Sequence, residues 1–130
     1  LSYLLDATPP FAAGQGWEYS DTNYIVLGMI LERITGTPYD TLLRTRLLAP
    51  LALTNTVPAD RPDVPGIANG YAGATNELGG YDASLDARGR LRINPQFEWT
   101  GGGVASTTAD LARWGKLLYE GKAFDPALLP

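Results

Sequence analysis

The stretch Asp21–Gly36, DTNYIVLGMILERITG, constrains this chain more than any other feature. Tyr24, Ile25, Val26, Leu27, Met29, Ile30, Leu31 and Ile34 predict a helix from about Thr22 to Thr35, apolar around most of its circumference. Ser20, Asp21 and Thr22 are all competent N-caps, and Gly36 sits where a left-handed residue ends a helix. A helix apolar on nearly every side is normally buried inside a larger protein. The expectation is therefore a helix that needs neighbours all round. Its apolar run, Tyr24–Leu31, is far too short to span a bilayer.

Other elements follow from local signals. Leu1, Leu4 and Leu5 predict a short helix over 1–7, stopped by Pro9 and Pro10. Phe11–Gly16 reads as a loop. Thr37 as N-cap, Pro38 in the first turn and Asp40 beyond it predict a second helix that runs through Leu47 and ends before Pro50. Thr54–Asn55–Thr56 then leads into a Pro-rich connection through Pro65. Residues 66–103 are Gly-rich without helical periodicity. Within them Ser84–Asp86 and Arg90–Ile93 flank Ala87–Arg88–Gly89, which predicts a hairpin. In the last helix Thr107 is the expected N-cap and Asp110 the reciprocal half of a capping box. Leu111, Trp114, Leu117 and Leu118 form its expected core face, and Gly121 ends it. The fold class expected is mainly α with a small β-hairpin.

The 130 residues fit one domain, and 45% hydrophobic with 18% charged residues is ordinary globular composition. Net charge is −4, and the ten Lys and Arg are scattered. No basic stripe exists to follow a phosphate backbone, so nucleic acid is not an expected partner. There is no Cys, which excludes disulfides and thiolate metal sites. The absence of His removes the commonest general base. Asp82, Asp86 and Glu98 lack metal-loop spacing, so no metal and no cofactor are implied. Gly101–Gly102–Gly103 is not a phosphate loop, because no Gly-Lys-Ser/Thr follows; it suits a tight backbone approach.

Three stretches, in this order, resemble the serine β-lactamase and penicillin-binding-protein superfamily, in the branch with class C β-lactamases, DD-peptidases and related esterases. They are Gly14–Tyr24 (GQGWEYSDTNY) with Val26–Gly28 and Thr35–Gly36, then Leu48–Thr56 (LAPLALTNT), then Gly101–Trp114 (GGGVASTTADLARW). The resemblance implies an antiparallel sheet paired with a helical region, an active site between them, and this chain as the helical side of that α+β fold. It also implies export to the periplasm or outside the cell. Of the family's three motifs only Tyr-x-Asn has a counterpart, Tyr19–Ser20–Asp21. Ser2, Ser20, Ser84 and Ser106 all lack the Lys of Ser-x-x-Lys, and neither Lys-Thr-Gly nor His-x-Gly occurs. The chain begins at Leu1 without a signal-like segment, and the reading is a fragment whose missing motifs lie before Leu1 and after Pro130. Its partner would then be the remainder of its own catalytic domain.

Acyl transfer needs an activated hydroxyl and a proton shuttle. The resemblance casts Tyr19 as that shuttle, between a nucleophilic Ser and the leaving group. The reference Tyr pKa of about 10 leaves roughly one in a thousand ionised at neutral pH, and a nearby ammonium would raise that fraction. The alternative is a packed aromatic ahead of the helix. Asp21 replaces the more familiar Asn. An ionised Asp only accepts hydrogen bonds, which weakens the case for β-lactam or peptide substrates and favours an ester or an amine-bearing one. The alternative is that Asp21 caps the helix beginning at Thr22. Trp17 and Trp99 are candidates to line the substrate cleft, or to be core.

The function expected is thus part of a serine hydrolase acting on β-lactam, D-amino-acid peptide or ester substrates, including peptidoglycan-like ones. One rival is a degenerate relative that binds or senses such molecules. Another is a free-standing helical interaction module exposing Ile25–Ile34.

Overall fold

The structure, a computed structural model, describes residues 6–76 and 78–128. It is mostly helical with a small two-stranded antiparallel sheet. Helix α1 spans Asp21–Thr35, α2 spans Tyr39–Leu43 and continues as a wider π-helical segment, Arg44–Leu48, and α3 spans Thr108–Tyr119. Short 3-10 turns occupy Pro95–Phe97, Trp99–Gly101 and Pro126–Leu128. Strands β1 (Val57–Pro58) and β2 (Val104–Ala105) pair Val57 with Ala105 and Pro58 with Val104. Most of the short helix expected over 1–7 lies outside the described residues.

Helix α1 starts at Asp21, one residue earlier than expected, behind an extended Ser20 (φ −153°, ψ 120°). It ends on Gly36 at φ 63°, whose N–H donates to the Glu32 carbonyl. Thr37 does not cap the next helix. Its hydroxyl donates back to the Thr35 carbonyl at 3.3 Å, and Pro38 takes the N-cap position. The first N–H of α2, from Tyr39, is satisfied instead by Glu32 Oε1 at 2.7 Å. A carboxylate on α1 thus does the capping that local sequence assigned to Thr37.

Helix α3 begins as expected, with the Asp110 N–H donating to Thr107 Oγ1 at 3.3 Å. The Asp110 side chain, however, does not complete a capping box. It is buried, and its Oδ2 accepts the Asn55 N–H and the Thr56 hydroxyl, both at 2.8 Å. Arg113 Nε donates to the Leu51 carbonyl at 2.7 Å. These bonds fasten the start of α3 to the segment that follows the π-helical turn. Beside them the two-stranded sheet forms, extended by the Ala59 N–H to the Gly103 carbonyl at 2.8 Å.

The expected hairpin is present in short form. Gly89 adopts φ 75°, its N–H reaches the Asp86 carbonyl, and Leu85 and Leu91 make a single bridge. The Asp86 N–H donates to the Arg90 carbonyl at 2.8 Å and the Arg92 N–H to the Ser84 carbonyl at 2.9 Å, while the outward-facing Leu91 N–H reaches the Pro62 carbonyl at 2.9 Å. The named two-stranded sheet joins residues far apart in sequence.

Leu48, Leu53, Val64 and Ala123 form the buried core. Leu111, expected there, is 57% exposed, and Trp114 is half-buried. Nor is α1 enclosed. Gly28 is its buried residue, while Ile34 is 77% exposed and Leu27, Met29 and Ile30 stand open as well. Its main neighbours are α2 and the Trp99–Gly101 turn, which together cover one side. The cover that its composition calls for on the other sides is not among the described residues.

Candidate active site

Ser20, the residue between Tyr19 and Asp21, is extended (φ −153°, ψ 120°) just before α1 begins. Residues two apart on an extended backbone share a face. Tyr19 and Asp21 therefore point the same way, and the Tyr19 hydroxyl donates to Asp21 Oδ1 at 2.7 Å. That length is in the charge-assisted range for an O–H on a carboxylate. Asp21 occupies the first turn of α1, where the helix dipole favours a negative charge. It is the first helical residue and not the cap.

Trp17 and Tyr19 line a groove of about 720 Å³ with Pro10, Phe11, Gly16 and Asn23. Gly16 is needed there, because a Cβ would meet the Phe11 ring at 2.7 Å. Tyr19 is 63% exposed and Trp17 83%. The hydrogen bond to Asp21 pushes the Tyr19 phenol above its ordinary pKa, and the charge of the same carboxylate adds to it. Slight desolvation, Tyr24 and Glu98 push the same way. No basic group among the described residues opposes them. In this arrangement Tyr19 holds its proton, and a cation set beside it is needed to make it a base.

The Trp99–Gly101 turn docks on α1 beside Asp21. Thr100 Oγ1 donates to the Tyr24 carbonyl at 2.7 Å, its side chain lies against Gly28, and Gly101 lies against Asp21. Trp99 adopts φ 34° and packs edge-on against Tyr39, with ring centres 5.9 Å apart. The structure thus brings Trp17, Tyr19 and Asp21 together and places Trp99 on the side facing α2. The Gly run serves the close approach foreseen for it: a Cβ on Gly103 would sit 3.0 Å from the Trp99 carbonyl oxygen.

Glu98, which the sequence reading did not connect with Tyr19, lines a second cavity of about 520 Å³ with Val64, Gly102 and Val104, and its charge is the smallest of the influences that raise the Tyr19 pKa. No local pattern links residue 98 to residue 19; only the docking of the turn on α1 does so. Among the described residues no group of three or more His, Cys, Asp or Glu could hold a metal ion. None of the described helices is long and apolar enough to cross a membrane.

The Beta-lactamase family model matches residues 1–129. The chain belongs to that family, within the serine β-lactamase and penicillin-binding-protein superfamily. It is 27% identical over 122 residues to Penicillin-binding protein 4* of Bacillus subtilis, covering 85% of this chain and 25% of that protein. It is 38% identical over 55 residues to a putative D-alanyl-D-alanine carboxypeptidase of Escherichia coli, covering 42% of this chain and 13% of that protein. Among solved structures, the D-stereospecific amidohydrolase from Streptomyces sp. superposes with a TM-score of 0.72 at 26% identity, over 93% of this chain and 34% of that one. The D-amino acid amidase from Ochrobactrum anthropi SV3 complexed with L-phenylalanine amide gives 0.68 at 30% identity, over 87% and 31%. The chain therefore spans a quarter or less of these curated relatives and about a third of these solved chains. Hydrolytic acyl transfer is the chemistry of this neighbourhood.

Proposed function

We propose that the whole protein is a serine hydrolase acting by acyl transfer on β-lactam, D-amino-acid amide or peptide, or ester bonds. In this reading the chain supplies Tyr19–Ser20–Asp21 as the counterpart of the Tyr-x-Asn motif. The observation that carries it is the 2.7 Å bond from the Tyr19 hydroxyl to Asp21 beside an exposed groove, in a chain matched to the family over residues 1–129. The described helices then form the helical side of an α+β domain. The nucleophile lies outside Leu1–Pro130, since no Ser here precedes Lys at the required spacing. The open apolar faces of α1 and the short span relative to the relatives support that division.

In the acylation step Tyr19 oxygen takes the proton of the nucleophilic Ser as its Oγ attacks the carbonyl carbon. The same proton passes to the leaving nitrogen or oxygen as that bond breaks. Water reverses the sequence on the acyl-enzyme. Tyr19 must be ionised to accept, and Asp21 works against this, so an ammonium from the rest of the domain has to face it. Trp17 contacts substrate along the groove. Trp99 packs against Tyr39 and contributes by holding Thr100 and Gly101 against α1, beside Asp21.

The test uses the full-length protein. Tyr19→Phe should cut turnover at least ~10²-fold, the scale for losing a general acid or base. A fluorophosphonate probe should add its mass to the full-length protein and not to Leu1–Pro130. Near-normal turnover of the Phe variant would sink the role of Tyr19. An unlabelled full-length protein, beside a labelled relative, would instead favour a binding or sensing protein.

A further inference from the structure

We propose that the cavity bordered by Glu98 and Gly102 is a specificity pocket for a long aliphatic side chain ending in a cation, with Glu98 reading the charge. This rests on the reading of Tyr19 as the proton relay of a hydrolase. It adds a substrate class to that reading: acyl groups whose own side chain, rooted next to the scissile carbonyl, is of the lysyl or ornithyl kind.

A single turn links this pocket to the Tyr19–Asp21 pair. Its middle residues dock on α1, Thr100 at Gly28 and Gly101 at Asp21. The residues flanking that middle, Glu98 and Gly102, line the cavity of about 520 Å³. The Glu98 charge also reaches Tyr19, though weakly. A side chain rooted at a carbonyl beside Tyr19 has to pass the turn before it enters the pocket. A methyl group is too short for that, so the arrangement selects for length.

The lining fits such a chain. Val57, Val64, Leu91 and Val104 give the pocket apolar walls. A methylene stem buries well along such walls while its charged head stays in a polar place. Asn55, Ser106 and Thr107 also line the pocket, but their side chains already bond Thr54, Thr56 and the Asp110 N–H. Glu98 is different. It is half-buried and is the one charged residue of the lining among the described residues. No hydrogen bond or ion pair among those residues engages its carboxylate. A carboxylate only accepts, so a terminal ammonium matches it through a charge-assisted bond. A neutral chain of the same length leaves it unmatched, and an anionic one is repelled. A few polar groups set in apolar walls are how small-molecule pockets fix what they accept.

The experiment measures kcat/KM of the full-length protein on the p-nitroanilides of N-acetyl-D-lysine, N-acetyl-D-norleucine and N-acetyl-D-alanine. Acetylation keeps the α-amine out of the comparison. The wild type should prefer lysine to norleucine, and Glu98→Gln should lower that ratio about 10-fold, the scale of a hydrogen bond to a charged group. Taking the ratio cancels any general effect of the substitution on Tyr19. Glu98→Lys should turn the preference toward an N-acetyl-D-2-aminoadipate substrate, which a merely structural role would not do. Ala68→Phe narrows the pocket and should slow lysine and norleucine together relative to alanine. Alanine turnover without a preference for lysine, or a ratio unchanged in Glu98→Gln, overturns the pocket and leaves the hydrolase reading standing. No turnover of any of the three substrates, together with no fluorophosphonate label on the full-length protein, would show that the hydrolase reading itself had failed.

Discussion

Thr100 fills the notch that Gly28 leaves on α1. Its hydroxyl bonds the Tyr24 carbonyl one turn earlier, and its Oγ1 and Cβ would lie 2.7 and 3.0 Å from a Cβ at position 28. Several Thr100 atoms crowd that point, so rotating one side chain cannot clear it. Gly28→Ala should therefore destabilise by about 1–3 kcal/mol through overpacking, outweighing the ~1 kcal/mol that Ala gains over Gly inside a helix. Thermal melts check this, and Thr100→Ala in the same background should recover much of the loss.

Asp110 is the second structural lever. Removing its buried carboxylate leaves the Asn55 N–H without its partner and the Thr56 hydroxyl with Ser106 Oγ alone. Asp110→Ala should cost about 3 kcal/mol, on the scale for orphaned buried donors and bonds to charged groups. Thr107→Ala removes only an N-cap bond and should cost about 1 kcal/mol. Urea unfolding of the two variants should rank them in that order, and equal losses would mean that Asp110 acts only locally.

Asp21 sets the titration of Tyr19. Absorbance titration should show the Tyr19 phenol ionising at lower pH in Asp21→Asn than in the wild type, because its hydrogen bond to a carboxylate is gone. The sign for stability follows from the raised folded pKa. The bond's contribution is complete below the ordinary Tyr value of about 10 and is lost as pH rises through the higher folded value. The Asn variant should lack that alkaline loss.

The open side of α1 predicts self-association of the isolated chain. Val26, Met29, Ile30 and Ile34 border one continuous apolar surface, interrupted by Arg33. Sedimentation should show association that grows with concentration, and Met29→Lys should suppress it by charging the middle of the patch. A monomer at high concentration in both forms would show that this face is not adhesive.

Helix ends were legible wherever one residue decides them. Gly36 and Gly121 close α1 and α3 in left-handed geometry, and Thr107 opens α3. Tyr19 and Asp21 were expected together only through the resemblance to the Tyr-x-Asn motif; the extended Ser20 that aligns their side chains is a feature of the structure. Features made by distant residues were not legible. Glu32 in place of Thr37 as the cap of α2, Asp110 turned toward Asn55, and the pairing of Val57 with Ala105 all depend on where other elements dock. The short hairpin around Gly89 was legible because its turn is local, whereas the bond from its Leu91 N–H to the Pro62 carbonyl was not. Periodicity found α1, but it carries no information on which parts of the chain are present to cover the helix.

The pairing of Val57 with Ala105 also bears on how such a protein can diversify. The segment between the strands leaves and re-enters the helical body at adjacent points, closed by the bond from Ala59 to Gly103. Chain length inside a closure of this kind costs stability only logarithmically. Residues from about 66 to 94 can lengthen, shorten or change character without shifting α2 or α3, provided Val64 keeps its place in the core and the end of the segment still delivers Thr100 into the notch at Gly28. The segment amounts to an exchangeable cassette hung from a two-residue clasp, where new surfaces can be acquired while α1, with Asp21 in its first turn and Tyr19 just ahead of it, stays put.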